Sequence, residues 1–420
     1  MSARQLTIAL ALGLAAAALV GQAAGSAEPA PPTTVPTGAA VGPTTTLATP
    51  TTTPPTTAPA STPPASNPEA TLDVEDHGEY LAALAAYSTD DSGPHTIVIT
   101  DHFDFATGID PTYTGTQPLT IEGNDFTHAL GHANRFLVFD SDAELTIRDL
   151  WVSEGRAHFR GAFRSDGGAI DYRGTGGLQI VSSAFDRNEA AARGGAVAAL
   201  HAPVMIDASS FTSNRADQGG GLAVAEGLVT NSTVTRNRAG RGGGVHVSAG
   251  AGHVGLVHVT LAENRSSRGA NVSSNRSGAA SLIATALVDP DGGGRNCALP
   301  DGPVNDLHSF ADDPSCRLGA TSITDGDGSD PLGPLAGDGA TEVAMAPLAD
   351  GPLVDAVPTD VAYSGIAASC AALDDQREVP RPQEGDGVRP AWCDIGAIEL
   401  EGRLAPRPGG PLPAAPPFTG

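Results

Sequence analysis

The sequence contains no lysine, so arginine alone supplies its positively charged side chains. The 23 arginines stand against 48 aspartates and glutamates, which gives a formal net charge of −25. A surface of this sign repels the phosphates of nucleic acids and of anionic membranes, and it keeps a surface protein soluble. The composition therefore excludes nucleic acid as a partner and disfavours acidic polyuronates as substrates.

Long apolar runs are also missing, except at the N-terminus. There, Arg4 precedes an apolar stretch over residues 6–20, and small residues continue to Ala27. This order is typical of a secretory signal peptide over residues 1–27, cleaved after Ala24 or Ala27. An uncleaved membrane anchor is the alternative, but the stretch is rich in alanine and short of the roughly 20 strongly apolar residues that span a bilayer. We therefore expect a secreted, extracellular or cell-surface protein without a membrane span after signal cleavage.

Cysteine is scarce, with four residues in the chain. An even number behind a signal peptide fits disulfide bonds. Nearest-neighbour pairing, Cys297 with Cys316 and Cys370 with Cys393, is favoured over the two other connectivities because both loops are local. A zinc site is the rival interpretation, but no two of these cysteines have the Cys-x-x-Cys spacing.

Charge is almost absent from residues 28–70, where proline and threonine make up more than half of the sequence. This composition predicts a disordered linker. Residues 403–420 are rich in proline and glycine and are predicted to be a disordered tail. Their last five residues, 416–420, are similar to a sortase signal with proline in place of leucine. The apolar segment and basic tail of a sortase substrate do not follow, so the mode of anchoring stays open.

A short phrase that ends in asparagine recurs four times, followed each time by a glycine-containing stretch. The steps between the asparagines are 26, 23 and 27 residues. A repeat of this length indicates stacked units, each too small to bury its apolar face alone. Short β-branched runs alternate with glycine and asparagine at corners, which predicts strands and turns. The four asparagines are Asn188, Asn214, Asn237 and Asn264.

We predict that each unit is one coil of a parallel β-helix, with strands of neighbouring coils about 4.8 Å apart. The register predicts two inward apolar columns. They are Phe185, Phe211, Val234 and Leu261, and Ile170, Val197, Leu222 and Val245. The four asparagines are expected to form a structural ladder at a turn, because asparagine tolerates positive φ and its amide can bond to the amides above and below. Contact with a ligand is the alternative role.

Two sets of phrases resemble known surface proteins. Gly-Gly-Ala-Ile at 167–170 and Phe-x-x-Asn at 185–188 and 211–214 resemble the paired motifs of polymorphic outer-membrane-protein repeats. The C-terminal phrases Asp375-Gln376-Arg377, Arg381-Pro382 and the run 393–399 are similar to the closing signature of bacterial choice-of-anchor Q proteins. Glu378 stands where that signature usually has glycine. The resemblance implies a secreted, all-β, right-handed single-stranded parallel β-helix of the pectin-lyase type.

These observations divide the chain into six parts. A short amphipathic helix over residues 76–88 is expected to precede and cap the first coil, because a β-helix must cover its exposed end. We expect roughly eight to ten coils and a loop-rich C-terminal region. The parts are the signal peptide 1–27, the linker 28–70, the N-terminal cap 71–95, the β-helix coils 96–290, the closing region 291–402 and the tail 403–420.

Two columns of arginine follow from the same register. Arg215, Arg238 and Arg265 come directly after the asparagines, and Arg193, Arg241 and Arg268 directly before the glycines. Like charges stacked at the strand spacing repel, so the columns need interleaved carboxylates or a bound anion. The candidate carboxylates are Asp186, Asp217, Glu226 and Glu263. One interpretation is a binding groove for an anionic glycan, and the other is a solvated face of alternating charge.

Catalytic residues are not singled out by the sequence. His128 and His132 have the spacing of a zinc motif, but Ala-Leu-Gly lies between them in a predicted loop, without the required glutamate. Asp149, Asp171 and Asp207 lie in different coils and form no paired-carboxylate motif.

The sequence also raises a calcium loop. Asp325, Asp327 and Asp330 have the carboxylate spacing with which such a loop begins. The sixth position is aspartate instead of glycine, and no glutamate follows at the twelfth. An acidic turn is the alternative.

We therefore expect a non-catalytic structural, adhesion or glycan-binding role, with a cell-surface or extracellular glycan as partner. The alternative is an extracellular polysaccharide lyase or glycoside hydrolase acting in a groove of the β-helix. That alternative rests on analogy of fold alone.

Overall fold

The computed structural model describes residues 70–105, 110–131, 134–157, 165–248, 250, 252–292, 294–325, 330–337, 343–363, 369–383 and 392–401. Within them the chain is almost entirely β, with one α-helix. Parallel strands stack coil upon coil into a β-helix of about nine turns. The predicted fold class is confirmed. The predicted signal peptide, linker and tail lie outside the described residues, Ala70 excepted.

Three parallel faces make up each coil. The first face contains Ala70–Val74, His95–Ile99, Leu119–Glu122, Leu145–Arg148, Leu178–Val181, Val254–Val257, Ala280–Ile283 and Asp306–Leu307. The second face contains Thr127–Ala129, Trp151–Ser153, Ala184–Asp186, Ser210–Thr212, Thr233–Thr235, Thr260–Ala262, Ala286–Val288, Phe310–Ala311 and Ile323–Thr324. The third face contains Thr112–Tyr113, Leu137–Phe139, Ile170–Tyr172, Val245–Val247, Val272–Ser274 and Cys297–Ala298. Two longer strands, Val197–Asp207 and Leu222–Thr230, run from the third face into the first.

Apolar columns fill the interior in the predicted register. Every member of the two predicted columns pairs with the next and is buried. The rings of Phe185 and Phe211 stack with their centroids 5.2 Å apart. Burial of each such side chain contributes about 1.5–3 kcal/mol, so these columns hold neighbouring coils together.

Left-handed residues turn the corner between the second and third faces. In each repeat the residue before the asparagine has a φ of 52°, 58°, 59° or 53°. These residues are Arg187, Ser213, Arg236 and Glu263. The asparagines themselves do not have positive φ, so the prediction that they supply the left-handed conformation is wrong. Buried backbone N–H and C=O groups need hydrogen-bond partners, and the asparagine amide supplies them. The residue before each asparagine adopts the positive φ that turns the chain.

The helix α1 (His77–Tyr87) packs on the first coils. Asp76 caps it, since its Oδ1 accepts a hydrogen bond from the backbone N–H of Glu79 at 2.9 Å. Tyr80 is buried and stacks on Phe136, with ring centroids 5.1 Å apart. Among the described residues, no helix has the length and apolar character needed to cross a membrane.

The β-helix begins before the boundary predicted at residue 96. Ala70–Val74 already pairs in parallel with His95–Ile99 along five residues. The helix α1 therefore connects the first two strands of the stack and does not precede the first coil. The pattern around residues 76–88 predicted the helix correctly, but the short strand before it has too weak an alternation to be recognised.

The stack also continues past residue 290, through Cys297–Ala298 to Ile323–Thr324. Beyond it, the C-terminal segment (described residues within 330–401) folds back onto the outside of the second face. Thr233 Oγ1 donates to Gln376 Oε1 at 2.7 Å, and the backbone N–H of Ala397 donates to Thr260 Oγ1 at 2.9 Å. The segment thus covers an outer strand face that would otherwise meet water.

Both predicted disulfides are present. Cys297–Cys316 joins a third-face strand to the 3-10 turn Pro314–Cys316. Cys370–Cys393 joins the 3-10 turn Cys370–Ala372 to the last described stretch of the chain. Nearest-neighbour pairing is confirmed.

Candidate functional site

The repeat asparagines form a continuous ladder inside the corner between the second and third faces. At each step, Oδ1 of the later asparagine accepts the backbone N–H and the Nδ2–H of the earlier one, over 2.8–3.1 Å. Each Nδ2 also donates to a second-face carbonyl, as Asn237 does to Phe211 at 2.8 Å. All four side chains are buried. The predicted structural ladder is confirmed, and its amides bond within the protein.

The first arginine column lies directly after the ladder, on the outside of the corner. Arg215 bridges in parallel to Arg238, and Arg238 to Arg265, so the three residues occupy successive coils. Glu189 precedes them in register and lies 3.8 Å from Arg215. Asp291 lies 3.4 Å from Arg265. Within the described residues Arg238 forms no ion pair, so the middle of the column is uncompensated.

The second arginine column is interrupted. Arg193 bridges to Gln218, and Gln218 to Arg241, so a glutamine occupies the intervening coil. The Arg193 guanidinium turns back to Asp166, with contacts of 3.1 and 2.7 Å. Only Arg241 and Arg268 follow one another. The prediction of a column of Arg193, Arg241 and Arg268 is wrong at this point, because one repeat carries no arginine before its glycines.

We call the exposed turns that carry both columns the arginine ridge. They are residues 189–193, 215–219, 238–242 and 265–269, and they hold six arginines and two carboxylates. Of the carboxylates predicted to interleave, only Asp217 belongs to the ridge. Asp186 pairs with Arg187, and Glu263 with Arg236, at the preceding corner, and Glu226 lies in Leu222–Thr230. The ridge is therefore a local excess of positive charge on an acidic chain.

A buried ionic cluster lies beside the ridge, on the outer side of the third face. Besides the carboxylate contacts of Arg193, the backbone oxygen of Asp166 accepts from Arg135 Nε at 3.0 Å. Asp171 accepts from Arg173 Nε at 2.9 Å. Burial raises the pKa of Asp171, and the two nearby arginines Arg173 and Arg135 oppose that rise. Each carboxylate has a guanidinium partner, so the cluster anchors the turn that carries it.

Sequence reasoning overlooked this cluster. It placed Asp171 among scattered carboxylates and did not consider Asp166. The available signal was Asp-Gly-Gly-Ala-Ile-Asp over 166–171, in which two acids flank a glycine corner. Asp171 has its arginine partner two residues away, but the partners of Asp166 come from other coils, at separations of 31 residues for Arg135 and 27 for Arg193.

His246 occupies the same outer column as Asp171, three coils further along. Its Nδ1 lies 2.8 Å from Ser273 Oγ, and the ring is buried. Burial, with help from Arg241 and Arg193, lowers the pKa of His246 to about 4. The ring is therefore neutral at neutral pH.

Replacement of His246 by glutamine is expected to reduce the sensitivity of the protein to acid. The folded pKa of about 4 lies below the ordinary 6.5, so the unfolded chain takes up its proton first as the pH falls. The neutral ring contributes stability above about pH 6.5 that is lost as the pH falls towards 4, by at most about 3 kcal/mol. The free energy of unfolding, from denaturant titrations at several pH values, should fall less steeply in the variant. His201→Gln, at an exposed histidine, is the control, and equal slopes for all three proteins would contradict the assignment.

Only His128 of the predicted histidine pair lies among the described residues. His128 is buried, with its ring centroid 4.4 Å from that of Phe103, and His132 lies outside the described residues. Burial lowers the pKa of His128 to about 4, and its Nδ1 lies 3.3 Å from the Phe103 carbonyl oxygen. It is a histidine of the core. Asp149 and Asp207 lie in separate coils, as the sequence indicates.

The predicted calcium residues are only partly described. Asp330 Oδ1 accepts the backbone N–H of Leu332 at 3.0 Å, as in an acidic turn, and Asp325 is also described. Asp327 lies outside the described residues. Across the described ranges, no group of three or more His, Cys, Asp or Glu side chains is arranged to hold a metal ion.

The C-terminal phrases meet in one buried network, which we call the clasp. Arg381 and Glu399 form its centre, with Nη1 2.6 Å from Oε2 and both side chains fully buried. Arg381 Nη2 also donates to the carbonyls of Gly396 and Ala397, at 2.9 and 3.1 Å. Asp375 accepts from the backbone N–H of Glu399 at 2.9 Å. Residues of all three phrases thus bond to one another.

Asp394 adds a second buried carboxylate to the clasp. It accepts backbone N–H groups of Asp355 and Leu400, each at 2.7 Å. Burial raises the pKa of Asp394 and of Glu399, and Arg381 opposes the rise in both. Arg381 is therefore the charge that allows the two acids to be buried together.

No protein-family model, curated protein or solved structure matches this chain.

Proposed function

We propose that this protein is a secreted or cell-surface β-helix whose arginine ridge binds an extended anionic glycan without chemically altering it. The observation that carries the proposal is the uncompensated middle of the first column, Arg238 between Arg215 and Arg265. Like charges directly opposed on neighbouring strands destabilise a sheet, by roughly 0.2–1 kcal/mol per pair. The charge of Arg238 therefore costs the fold stability, and a bound polyanion would remove that repulsion.

The shape of the ridge suits a linear polymer. Its guanidinium groups recur once per coil, about 4.8 Å apart, and Arg241 and Arg268 add a second short row. Arginine presents a planar fork of N–H donors that matches carboxylate and sulfate groups. The buried asparagine ladder beneath holds the turns in place, so binding orders little additional backbone.

The net charge of −25 opposes a polyanion at long range and much less at contact. At physiological ionic strength, charges beyond about 8 Å are largely screened. The acidic clasp packs with the C-terminal segment on the second face, away from the ridge turns. A ligand on the ridge therefore experiences mainly the local charge, in which the arginines outnumber the carboxylates and Arg238 has no ion pair among the described residues.

Secretion and relation to choice-of-anchor Q proteins belong to the same proposal. The two disulfides are compatible with an oxidising, extracellular location. The bonding of the C-terminal phrases within the clasp supports the resemblance, because it gives the similar residues one shared structural role.

Replacement of Arg215, Arg238 and Arg265 together by glutamine is expected to weaken glycan binding roughly 100-fold, if each exposed ion pair contributes about 1 kcal/mol. Glutamine keeps the polar character and most of the chain length but removes the charge. Calorimetric titration with hexagalacturonate and with a chondroitin sulfate hexasaccharide measures the change, with cellohexaose as the neutral ligand. The control replaces Arg187 and Arg236, which are also exposed but are ion-paired at the preceding corner, outside the column.

Two outcomes would overturn the proposal. Unchanged affinity in the ridge variant would show that the column does not bind the glycan. Release of unsaturated products or new reducing ends by the wild-type protein would show that it is a lyase or a hydrolase.

A further inference from the structure

A cleft of about 890 Å³ opens at the C-terminal end of the arginine ridge. Arg268, the last arginine of the ridge, lines one side of it, and Arg295 and Arg317 also line it. Hydroxyl and amide groups and a patch of apolar side chains make up most of the remaining lining. These are Ser267, Ser274, Asn275 and Ser315, and Ala298, Leu299, Pro300 and Pro314.

None of the three guanidinium groups has an acidic partner in the part of the chain that the structure describes. Within the described residues Arg268 and Arg295 form no ion pair, and Arg317 donates to the carbonyl of Pro300 at 2.8 Å. The one carboxylate that lines the cleft is Asp313, and it already accepts two backbone N–H groups at 2.9 and 2.7 Å. In a chain with twice as many acids as arginines, this is a second local excess of positive charge.

A disulfide fixes the two sides of the cleft relative to one another. Arg295 lies two residues before Cys297, and Arg317 directly follows Cys316. The Cα atoms of the bonded cysteines are 4.8 Å apart. The arginines are therefore held near their binding positions before a ligand arrives, which lowers the cost of binding.

We propose that the cleft binds one anionic sugar unit, the terminal residue of the glycan whose body lies along the ridge. This proposal rests on the proposed function of the ridge. The arginines take the carboxylate or sulfate, and the apolar patch packs against the C–H face of the ring. Ser274 and Asn275 bond to sugar hydroxyl groups, while the hydroxyls of Ser267 and Ser315 donate within the protein. The cleft has the volume of a small-ligand site lined by apolar surface and a few polar groups. The bound glycan then has a direction along the ridge, with its terminal sugar at Arg268.

Monosaccharide binding tests the cleft separately from the ridge. The probes are galacturonic acid, N-acetylgalactosamine 6-sulfate and inorganic sulfate, with hexagalacturonate as the long ligand. Replacement of Arg268, Arg295 and Arg317 by glutamine is expected to weaken binding of both anionic monosaccharides roughly 100-fold and of the hexasaccharide about 10-fold. The single change Arg295→Gln, at an exposed residue, should reduce the affinity for the anionic monosaccharides about 5-fold. It tests the cleft even if the triple variant folds poorly. The ridge variant should keep monosaccharide affinity.

The outcomes separate the two proposals. If the cleft variant binds every probe with wild-type affinity, the cleft proposal is wrong and the ridge proposal is unaffected. Loss of hexasaccharide binding in the cleft variant alone, with the ridge variant unaffected, would overturn the ridge. Equal affinity for inorganic sulfate and for the sulfated sugar would show an adventitious anion site only, and would overturn recognition of a sugar unit.

Discussion

Substitution of Arg381 by methionine is expected to release the C-terminal segment from the β-helix. The change leaves the carboxylate of Glu399 fully buried without its cation, and it removes donors from the carbonyls of Gly396 and Ala397. Breaking one partner of a buried ion pair costs about 3–5 kcal/mol. The coils have their own apolar columns, so we expect local undocking and retention of the stack.

Hydrogen exchange measures this release residue by residue. The amides of Gln376, Gly396 and Ala397, which bond within the segment or to the coils, should lose protection. Protection in the inner strands, such as Phe211 in Ser210–Thr212, should remain. Arg236→Met, the same chemical change in an exposed pair, is the control and should cost at most about 1 kcal/mol. Arg381→Met combined with Glu399→Leu should recover part of the loss, and full protection in Arg381→Met would refute the role of the clasp.

Replacement of Asn237 by alanine is expected to break the asparagine ladder at its middle. Four groups lose a hydrogen bond: the backbone N–H and Nδ2 of Asn214, the carbonyl of Phe211 and Oδ1 of Asn264. Asn214 Nδ2 keeps its bond to the Phe185 carbonyl, and Asn264 Oδ1 keeps the backbone N–H of residue 237. Leaving buried polar groups unsatisfied costs about 1–3 kcal/mol each, and relaxation or entering water will recover some of it. We expect a loss of at least about 3 kcal/mol, or a fall in melting temperature of roughly 6–12 °C.

Thermal unfolding followed by circular dichroism, together with hydrogen exchange around the corner, checks this expectation. Because coils contact only their neighbours, unfolding should begin at the coils of Phe211, Val234 and Leu261. Asn275→Ala removes an asparagine that is exposed, and it should change the melting temperature by less than about 2 °C. A similar small change for Asn237→Ala would mean that the ladder does not hold the stack together.

The repeat pattern was sufficient to predict the stack, because its register follows from local spacing. Once Phe185 and Phe211 were aligned, the inward columns and the asparagine ladder followed. The same alignment contained the error in the second arginine column, since Gln218 stands in the repeat where Arg193 and Arg241 have their counterparts. Reading every coil, including the one without arginine, would have found the interruption.

Other features have no signal in local sequence. Arg381 and Glu399 are 18 residues apart and meet only because the C-terminal segment folds back on itself. Arg295 and Arg317 reach the same cleft through a disulfide and a short 3-10 turn, which follow no repeat. The left-handed corner residue was assigned to the asparagine and belongs to its neighbour, because the need to satisfy buried backbone groups outweighs a residue's intrinsic tolerance of positive φ.

The substitution Arg238→Gln, measured for both stability and affinity, tests the central claim most directly. Arg238 lies between two arginines and has no ion pair among the described residues. If the ridge exists to bind, the variant should gain about 0.5 kcal/mol in the free energy of unfolding by losing repulsion. Its affinity for hexagalacturonate or the chondroitin sulfate hexasaccharide should fall by about fivefold, and the difference should shrink at high salt. A variant that is less stable and binds the glycans as well as the wild type would contradict the account, and the arginines would then be part of the scaffold.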